Sequence, residues 1–329
     1  MRRARVATSA RIHFGFLNLS LALDRLYGGI GVAVDEPKTV VTAEPAASVD
    51  CDDPVACQYA ERAVDLLDVP GAAVTVESAL PRHSGLGSGT QLALAVLTAI
   101  GRAHDRAPDV RSLAPELGRG GRSGVGVGTF EHGGFVVDSG HPTAQFTTER
   151  PADGDWTVPS VTVRRSVPDD WRFLLVLPDV EPGRNGDAEE ESMRSVVERA
   201  DPGVADRIAG VVTRRLLPAV AEGDAKRFGA AVESLGRLNG TWYADEQGGV
   251  YRPPVGELVT ALDSDPACYG AGQSSWGPCV YGVTDAAHAD AARNAGGEAL
   301  DAAGIDGDVQ IVAGRNDGAE TETVDDVVA

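Results

Sequence analysis

The segment 81–91, PRHSGLGSGTQ, decides how the rest of the chain is read. It places Gly85, Gly87 and Gly89 at alternate positions, and the apolar residues that follow, with Leu92, Val96, Ala99 and Ala103 on one face, predict a helix over about 89–102. Glycines allow positive φ and close backbone approach, so successive N–H groups and the positive end of a helix can face an anion. The spacing is neither GxGxxG nor GxxxxGK[ST], which leaves a dinucleotide loop and a Walker loop unsupported. Ser88 followed three residues later by Gln91 has the form of a capping box. Taken by itself the segment is also compatible with an ordinary glycine-rich turn.

Outward from that loop, alternation over residues 3–16 and β-branched runs at 31–34 and 39–43, separated by Pro37, predict strands of an antiparallel sheet. A helix is expected over 54–67 and a strand over 72–77, so the loop joins a strand to a helix. A second glycine cluster, GRGGRSGVGVGTFEHGGFVVDSGH, spans 118–141 and ends in a strand at 135–138. The polar, proline-containing stretch 142–160 is the expected connection between two domains, 1–155 and 156–329. Beyond it come a strand at 172–177, a charged loop at 187–191 and helical patterns at 188–200, 203–221 and 224–239. The last third reads helix 254–263, strands 267–271 and 278–284, helix 285–298, strand 308–313 and a frayed acidic tail over 315–329.

Composition narrows the partners. The 329 residues carry 29 Lys plus Arg against 49 Asp plus Glu, a formal charge of −20, and only Lys38 and Lys226 are lysines. Such chemistry resembles that of proteins from salt-loving microbes, whose carboxylate surfaces are screened at a Debye length of roughly 3 Å in molar salt. A chain of this charge repels a phosphate backbone, so no nucleic-acid partner is expected. Cys51, Cys57, Cys268 and Cys279 form no metal-ligand spacing and are expected to be reduced core residues. The longest apolar stretch, 92–100, is far short of a membrane span, and no signal-like apolar run follows the N-terminal arginines; a cytoplasmic protein without a membrane partner is expected.

Three ordered segments carry a resemblance. PRHSGLGSG resembles the phosphate loop of the GHMP kinase superfamily, SARIHFGFLNL near the N-terminus is similar to its first motif, and GAGQSSWGPCVYGV at 270–283 to its third. Within that superfamily, RIHFGFLNL, DRLYGGIGVAV, the 118–141 cluster and GQSSWGPCVYGV resemble the signatures of the β-ribofuranosylaminobenzene 5′-phosphate synthase family. The resemblance implies an α+β fold of two packed lobes, with mixed and antiparallel sheets covered by helices. It implies a decarboxylating phosphoribosyltransferase of methanopterin-type cofactor biosynthesis, which joins 4-aminobenzoate or 4-hydroxybenzoate to 5-phosphoribosyl 1-diphosphate and releases carbon dioxide and diphosphate. Mg²⁺, no organic cofactor, and a homodimer are implied with it. GHMP kinases commonly carry an Asp upstream of the paired glycines; here no Asp occurs from Gly118 to Gly134, which favours ribosyl transfer over an ATP-dependent kinase. Asn18 and Tyr27 stand where that family usually has Asp, which keeps a non-catalytic ligand-binding relative as a third alternative.

Carried onto this sequence, the resemblance implies that Gly85, Leu86, Gly87, Ser88, Gly89 and Thr90 hold a phosphate, that Arg11, His13, Gly272, Gln273, Ser274 and Ser275 contact substrate, and that Arg25, Asn18, Glu131 and His132 take part in catalysis. Ser88 and Glu131 are the candidate Mg²⁺ ligands. Arg11 and Arg25 have guanidinium groups suited to bidentate phosphate or carboxylate recognition. Each has a structural alternative: surface pairing for the arginines, a hydrogen-bonded core role for His13, a turn for Glu131 and His132, a cap for Asp138 and packing for Trp276. Both substrates are anions, so local arginines and Mg²⁺ must reverse the field of the −20 chain, and donor binding is expected to weaken as salt is lowered.

Overall fold

Alternating residues at the N-terminus form β1 (Arg2–Asn18), which turns back into β2 (Arg25–Pro45); the computed structural model describes residues 2–147, 149–181 and 186–325. β3 (Asp50–Cys51) leads into α1 (Pro54–Leu67), where Asp53 accepts hydrogen bonds from Val55 N and Ala56 N and Pro54 occupies a first-turn position needing no donor. β4 (Ala72–Ser78) and the glycine loop follow, then α2 (Ser88–Ala103), which is apolar on nearly every side and is buried accordingly. The lobe continues through α3 (Val110–Leu113), α4 (Val125–His132), β5 (Phe135–Asp138), β6 (His141–Pro142) and β7 (Val161–Arg165).

The second half contains β8 (Trp171–Pro178), α5 (Gly186–Arg199), α6 (Pro202–Val211), α7 (Leu217–Glu222), α8 (Ala225–Gln247), α9 (Val255–Asp263), β9 (Ala271–Gln273), β10 (Val280–Asp285), α10 (Ala289–Ala303), β11 (Gly307–Ala313) and β12 (Glu320–Asp325). The first sheet runs β12-β1-β2-β4-β3, with β5 and β6 pairing β2 and β7 pairing β5; the second runs β11-β8-β10-β9. Helices α1 and α2 cover one face of the first sheet. Its other face shares a core with α5 to α8 and the second sheet, where Phe14 and Phe135 of the first lobe meet Phe228 and Tyr281 of the second. Helices α9 and α10 close the outer face of the second sheet. This is the expected α+β, two-lobed architecture.

Several local expectations change. The runs 31–34 and 39–43 belong to one strand, β2, because β1 pairs along both of its halves; the register jumps from Ser9↔Lys38 to Arg11↔Ala33, so the residues around Pro37 bulge out without ending the strand. The 118–141 cluster hides α4, whose glycines are required by close packing: a Cβ on Gly126 would press on Thr90 and one on Gly128 on Val161 and Val136. The capping box at Ser88 does not form. The cap is Gly87 at φ 88° with no side-chain bond, and Gln91 is fully buried, accepting from Thr8 Oγ1 and donating to Gly126 O. Residues 320–325 pair antiparallel with Arg2–Ala7 instead of fraying, and 326–329 lie outside the described residues. The expected loop 187–191 falls within α5, the strand expected at 267–271 forms at 271–273, and the helix expected over 203–221 is divided by a wide turn at Val212–Leu216. Of the cysteines, Cys268 and Cys279 are buried while Cys51 and Cys57 are half-buried; all four are free.

Candidate functional site

β12 covers only the first residues of β1, and beyond Ala7 that edge of β1 is open to other partners. Its backbone is used to assemble a cleft. Arg11 N donates to Leu86 O (3.1 Å), His13 N to Ser274 Oγ (3.0 Å), and His13 O accepts from Ser275 N (3.3 Å). Ser274 Oγ in turn donates to Gly85 O (2.8 Å), and Cys279 N to Ser84 O (3.1 Å). The glycine loop of the first lobe and the 274–279 loop of the second are thereby clamped on one strand, at backbone contact: a Cβ on Gly277 would overlap Gly85 N and the Ser84 carbonyl.

The cleft so formed has a volume of about 1180 Å³. Among the described residues its wall holds six arginines, Arg11, Arg82, Arg119, Arg122, Arg150 and Arg194, and one carboxylate, Asp155. Among the described residues, then, a molecule of net −20 lines this cleft with an excess of cationic side chains. Gly85 (φ 92°) and Gly87 adopt conformations that turn the loop onto the first turn of α2. Arg11 packs along Gly87 and donates to Gly85 O, while Arg119 lies over Gly89 and is held on the Tyr59 ring and hydroxyl. Arg82 is tied to Asp53 (2.7 Å) and Arg150 to Asp153 (2.6 Å). This end of the cleft therefore sets a helix N-terminus beside guanidinium groups, two features that each favour negative charge.

At another part of the wall the lining is aromatic. Phe16 packs edge-on to His13 (centroids 5.1 Å), Tyr27 lies 5.8 Å from Phe16, and His141 stands perpendicular to Tyr27 at 6.3 Å. His13 sits where the two linings meet, with its Nε2 3.3 Å from Ser123 Oγ. Ser123 Oγ donates to Asp138 Oδ2 (3.1 Å) and accepts from Val125 N (3.2 Å). Asp138, fully buried at the end of β5, also accepts from Gly124 N (2.7 Å) and Gly140 N (2.8 Å). Burial raises its carboxyl to about 6, against the lowering effect of these N–H donors, that of Gly29 and the Ser123 hydroxyl. Burial, with Arg11 and Arg122 nearby, holds the His13 imidazole well below its ordinary value. His13 is therefore neutral.

The residues singled out from sequence divide into two groups. Arg11, His13, Gly85, Gly87, Ser88, Gly89, Thr90 and Ser275 line the cleft. The others are placed elsewhere. Leu86 is fully buried and serves through its carbonyl to Arg11 N. Arg25 is spent on Ser139 O (2.6 Å) and Gly140 O (2.7 Å), latching β2 to the turn before β6. Asn18 closes the β1–β2 turn, donating to Ser20 O and Arg25 O and accepting from Ser20 N. Glu131 is gripped by Arg111, whose Nε is 3.0 Å from Oε2, and lies outside the cleft wall; His132 beside it is exposed. Gly272 packs on Tyr281, Gln273 accepts from Arg252 N, and Ser274 is a buried clamp. Trp276 joins the wall against Tyr243.

Sequence reasoning passed over Arg82, Arg119, Arg122, Ser123 and Trp156. The first sits in the quoted loop, and the next three sit inside the quoted glycine cluster, where basic residues among glycines were the available signal. Trp156, which donates to Arg119 O (2.9 Å) and covers Gly121, gave none, because its stretch reads as a connection.

Residues 55–134 match the family described as GHMP kinases N terminal domain, and residues 216–302 that described as GHMP kinases C terminal. The chain is 31% identical to the β-ribofuranosylphenol 5′-phosphate synthase of Methanothermobacter thermautotrophicus, over 95% of this chain and 97% of that protein. It is 32% identical to the protein of the same name from Archaeoglobus fulgidus, over 89% of each. Its fold is similar to that of the homoserine kinase from Cytophaga hutchinsonii, with a TM-score of 0.65 at 18% identity, over 98% of this chain and 97% of the other. Among the described residues no helix is long and apolar enough to cross a membrane.

Proposed function

We propose a reaction for this chain on one premise: the chain belongs to the β-ribofuranosylphenol 5′-phosphate synthase family, built on the GHMP kinase fold. The reaction is decarboxylating ribosyl transfer, on the way to a methanopterin-type cofactor. 5-Phosphoribosyl 1-diphosphate and 4-hydroxybenzoate give β-ribofuranosylphenol 5′-phosphate, carbon dioxide and diphosphate. The phenol in the relatives' name favours 4-hydroxybenzoate over 4-aminobenzoate as the acceptor.

The observation that carries this reading is the two-part cleft, cationic at the glycine loop and aromatic along Phe16, Tyr27 and His141. Departure of diphosphate from ribosyl C1 leaves oxocarbenium character on the sugar and charge on the leaving group. The first-turn N–H groups of α2 with Arg11, Arg119 and Arg122 would stabilise that charge. The aromatic wall would hold the acceptor ring, whose carbon bearing the carboxylate attacks C1; loss of carbon dioxide then restores aromaticity.

Mg²⁺ fits this cleft only in part. Glu131 does not fit as a ligand, because Arg111 holds its carboxylate outside the cleft. Ser88 in the first turn of α2 is the residue that would hold the ion, with diphosphate oxygens and water completing its shell, as is usual for Mg²⁺ at phosphates. When bound it would supply charge neutralisation at the leaving group.

The test is carbon dioxide release from carboxyl-labelled 4-hydroxybenzoate in the presence of 5-phosphoribosyl 1-diphosphate and Mg²⁺, with 4-aminobenzoate in parallel. Release is expected from 4-hydroxybenzoate. No release from either acid, accompanied by ATP turnover on a small alcohol, would return the chain to the kinases whose fold it shares.

A further inference from the structure

The cleft contains one buried hydrogen-bonded chain that the reaction as stated does not use, running from His13 through Ser123 to Asp138. Its protons can be assigned by counting. An ionised carboxylate only accepts, so the Ser123 hydroxyl must donate to Asp138. Its two lone pairs then face Val125 N–H and His13 Nε2. His13 therefore carries its proton on Nε2, and Nδ1 is left with a lone pair. No hydrogen bond reaches Nδ1 from the described residues, although His13 belongs to the cleft wall where the cationic and aromatic linings meet. Gly29 is part of the same construction, since a Cβ there would overlap Ser123 Oγ.

We propose that His13 Nδ1 is the general base for the acceptor's para-hydroxyl, with Ser123 and Asp138 as positioning residues that fix its tautomer. The inference rests on the reaction proposed above. As the ring carbon bearing the carboxylate bonds to ribosyl C1, the C1–O bond to diphosphate breaks and its electron pair leaves with diphosphate. The O–H electron pair moves into the ring to give a cyclohexadienone, and the proton passes to Nδ1. The bond to the carboxylate then breaks, carbon dioxide departs, the pair returns to the ring, and Nδ1–H gives the proton back to the oxygen. Protons and charge balance over the cycle, and no further reactant is needed.

The surroundings suit this role. Burial first, and Arg11 and Arg122 after it, disfavour the imidazolium in the free protein, so the lone pair is available throughout the neutral range. The donor's phosphates, arriving beside the same two arginines, offset their charge and make Nδ1 more basic at the stage when a proton must be taken. Removing a general base typically lowers a rate by about 10²–10⁴.

The test compares wild type with His13→Gln, which can still donate to Ser123 from the Nε2 position but has no lone pair at Nδ1. Both are assayed with 4-hydroxybenzoate and its ring-fluorinated analogues of rising phenol acidity. The expected result is a kcat lowered by about 100-fold with unchanged donor KM, and a deficit that shrinks at least about tenfold with the most acidic phenol. Fluorine also weakens the ring carbon as a nucleophile, but equally in both proteins, so the ratio isolates the proton transfer. Should His13→Gln not fold, Ser123→Ala releases the tautomer and must show a smaller deficit with the same dependence on phenol acidity. A deficit constant across the phenols, or kcat unchanged, overturns the base while leaving the reaction standing. A wild type that releases no carbon dioxide from any of the acids overturns the reaction and the base with it.

Discussion

Substituting Gly277 by Ala tests whether the joint between the lobes, rather than the residues that touch substrate, sets the cleft. Gly277 lies in the 274–279 loop with an unexceptional backbone, since it is absent from the positive-φ glycines, so alanine is conformationally acceptable there. The obstacle is space. The new methyl group would fall inside 3.4 Å, the lower limit of ordinary contact, of Gly85 N, Ser84 C and Ser84 O. All three are backbone atoms of a loop fixed by Ser274 Oγ and Cys279 N, so no side chain can swing aside. Relief requires the glycine loop and the second-lobe loop to part by roughly 1 Å, a displacement that commonly costs about 100-fold when it misaligns reacting groups. Carbon dioxide release should therefore fall by about two orders of magnitude, with a raised KM for 5-phosphoribosyl 1-diphosphate, and thermal unfolding should come several degrees earlier. Gly297→Ala on α10 is the control, because a Cβ there meets nothing within 4 Å; it should be neutral or stabilise by up to about 1 kcal/mol through helix propensity. Wild-type kinetics for Gly277→Ala, with the donor KM unmoved, would refute the view that the contact between the two loops shapes the site.

Other outcomes follow from the same geometry. Protonating Asp138, whose carboxyl is raised to about 6, forces one of its contacts to become an acceptor, and only the Ser123 hydroxyl among them can; the chain then reverses and the proton moves to His13 Nδ1. The charged groups beside this chain are Arg11 and Arg122 at the imidazole and Arg25 on the Ser139–Gly140 turn, and kcat should fall as pH drops through about 6. Because the folded carboxyl binds its proton more tightly than an unfolded one near 3.8, its contribution to stability is full below 3.8 and is lost as pH rises through about 6; loss of activity in acid with unfolding at the same pH would contradict this assignment. Arg111→Ala should destabilise by about 1–3 kcal/mol in denaturant titrations, leaving donor KM within twofold, and Glu131→Gln should leave the Mg²⁺ dependence unchanged; a shifted metal requirement would restore Glu131 as a ligand. The cationic wall also inverts the salt dependence suggested by net charge: where unfolding is unaffected, donor KM should rise with KCl, and a falling KM would show that the distant carboxylates dominate.

Much of this protein is legible locally. The strand-loop-helix around 81–91 is determined by short-range signals, namely glycine spacing and apolar periodicity, and α1 by the Asp53 cap and its buried stripe. α4 was hidden for the opposite reason. Four of the ten residues from Gly124 to Gly133 are glycines, which lower helix propensity; Gly126 and Gly128 are there because Thr90, Val136 and Val161 press against the helix, and Gly124 and Gly133 because the backbones of Pro159 and of Asn316–Asp317 do. The same holds for Gln91, whose partners Thr8 and Gly126 override the capping box its spacing suggests.

The sequence by itself determined the family, the α+β class, the glycine loop ahead of α2 and the excess of carboxylates over basic groups, because each is written in contiguous residues or in composition. Which polar residues face the cleft was decided only by tertiary structure. Arg25, Asn18 and Glu131 look as chemically able as Arg11, His13 and Ser123, but the first three are consumed by Ser139, Ser20 and Arg111, and the others converge from β1 and the glycine cluster. A side chain's hydrogen-bonding capacity is fixed by its type, whereas the partner that uses it is fixed by which distant backbone arrives, and here the open edge of β1 makes that choice.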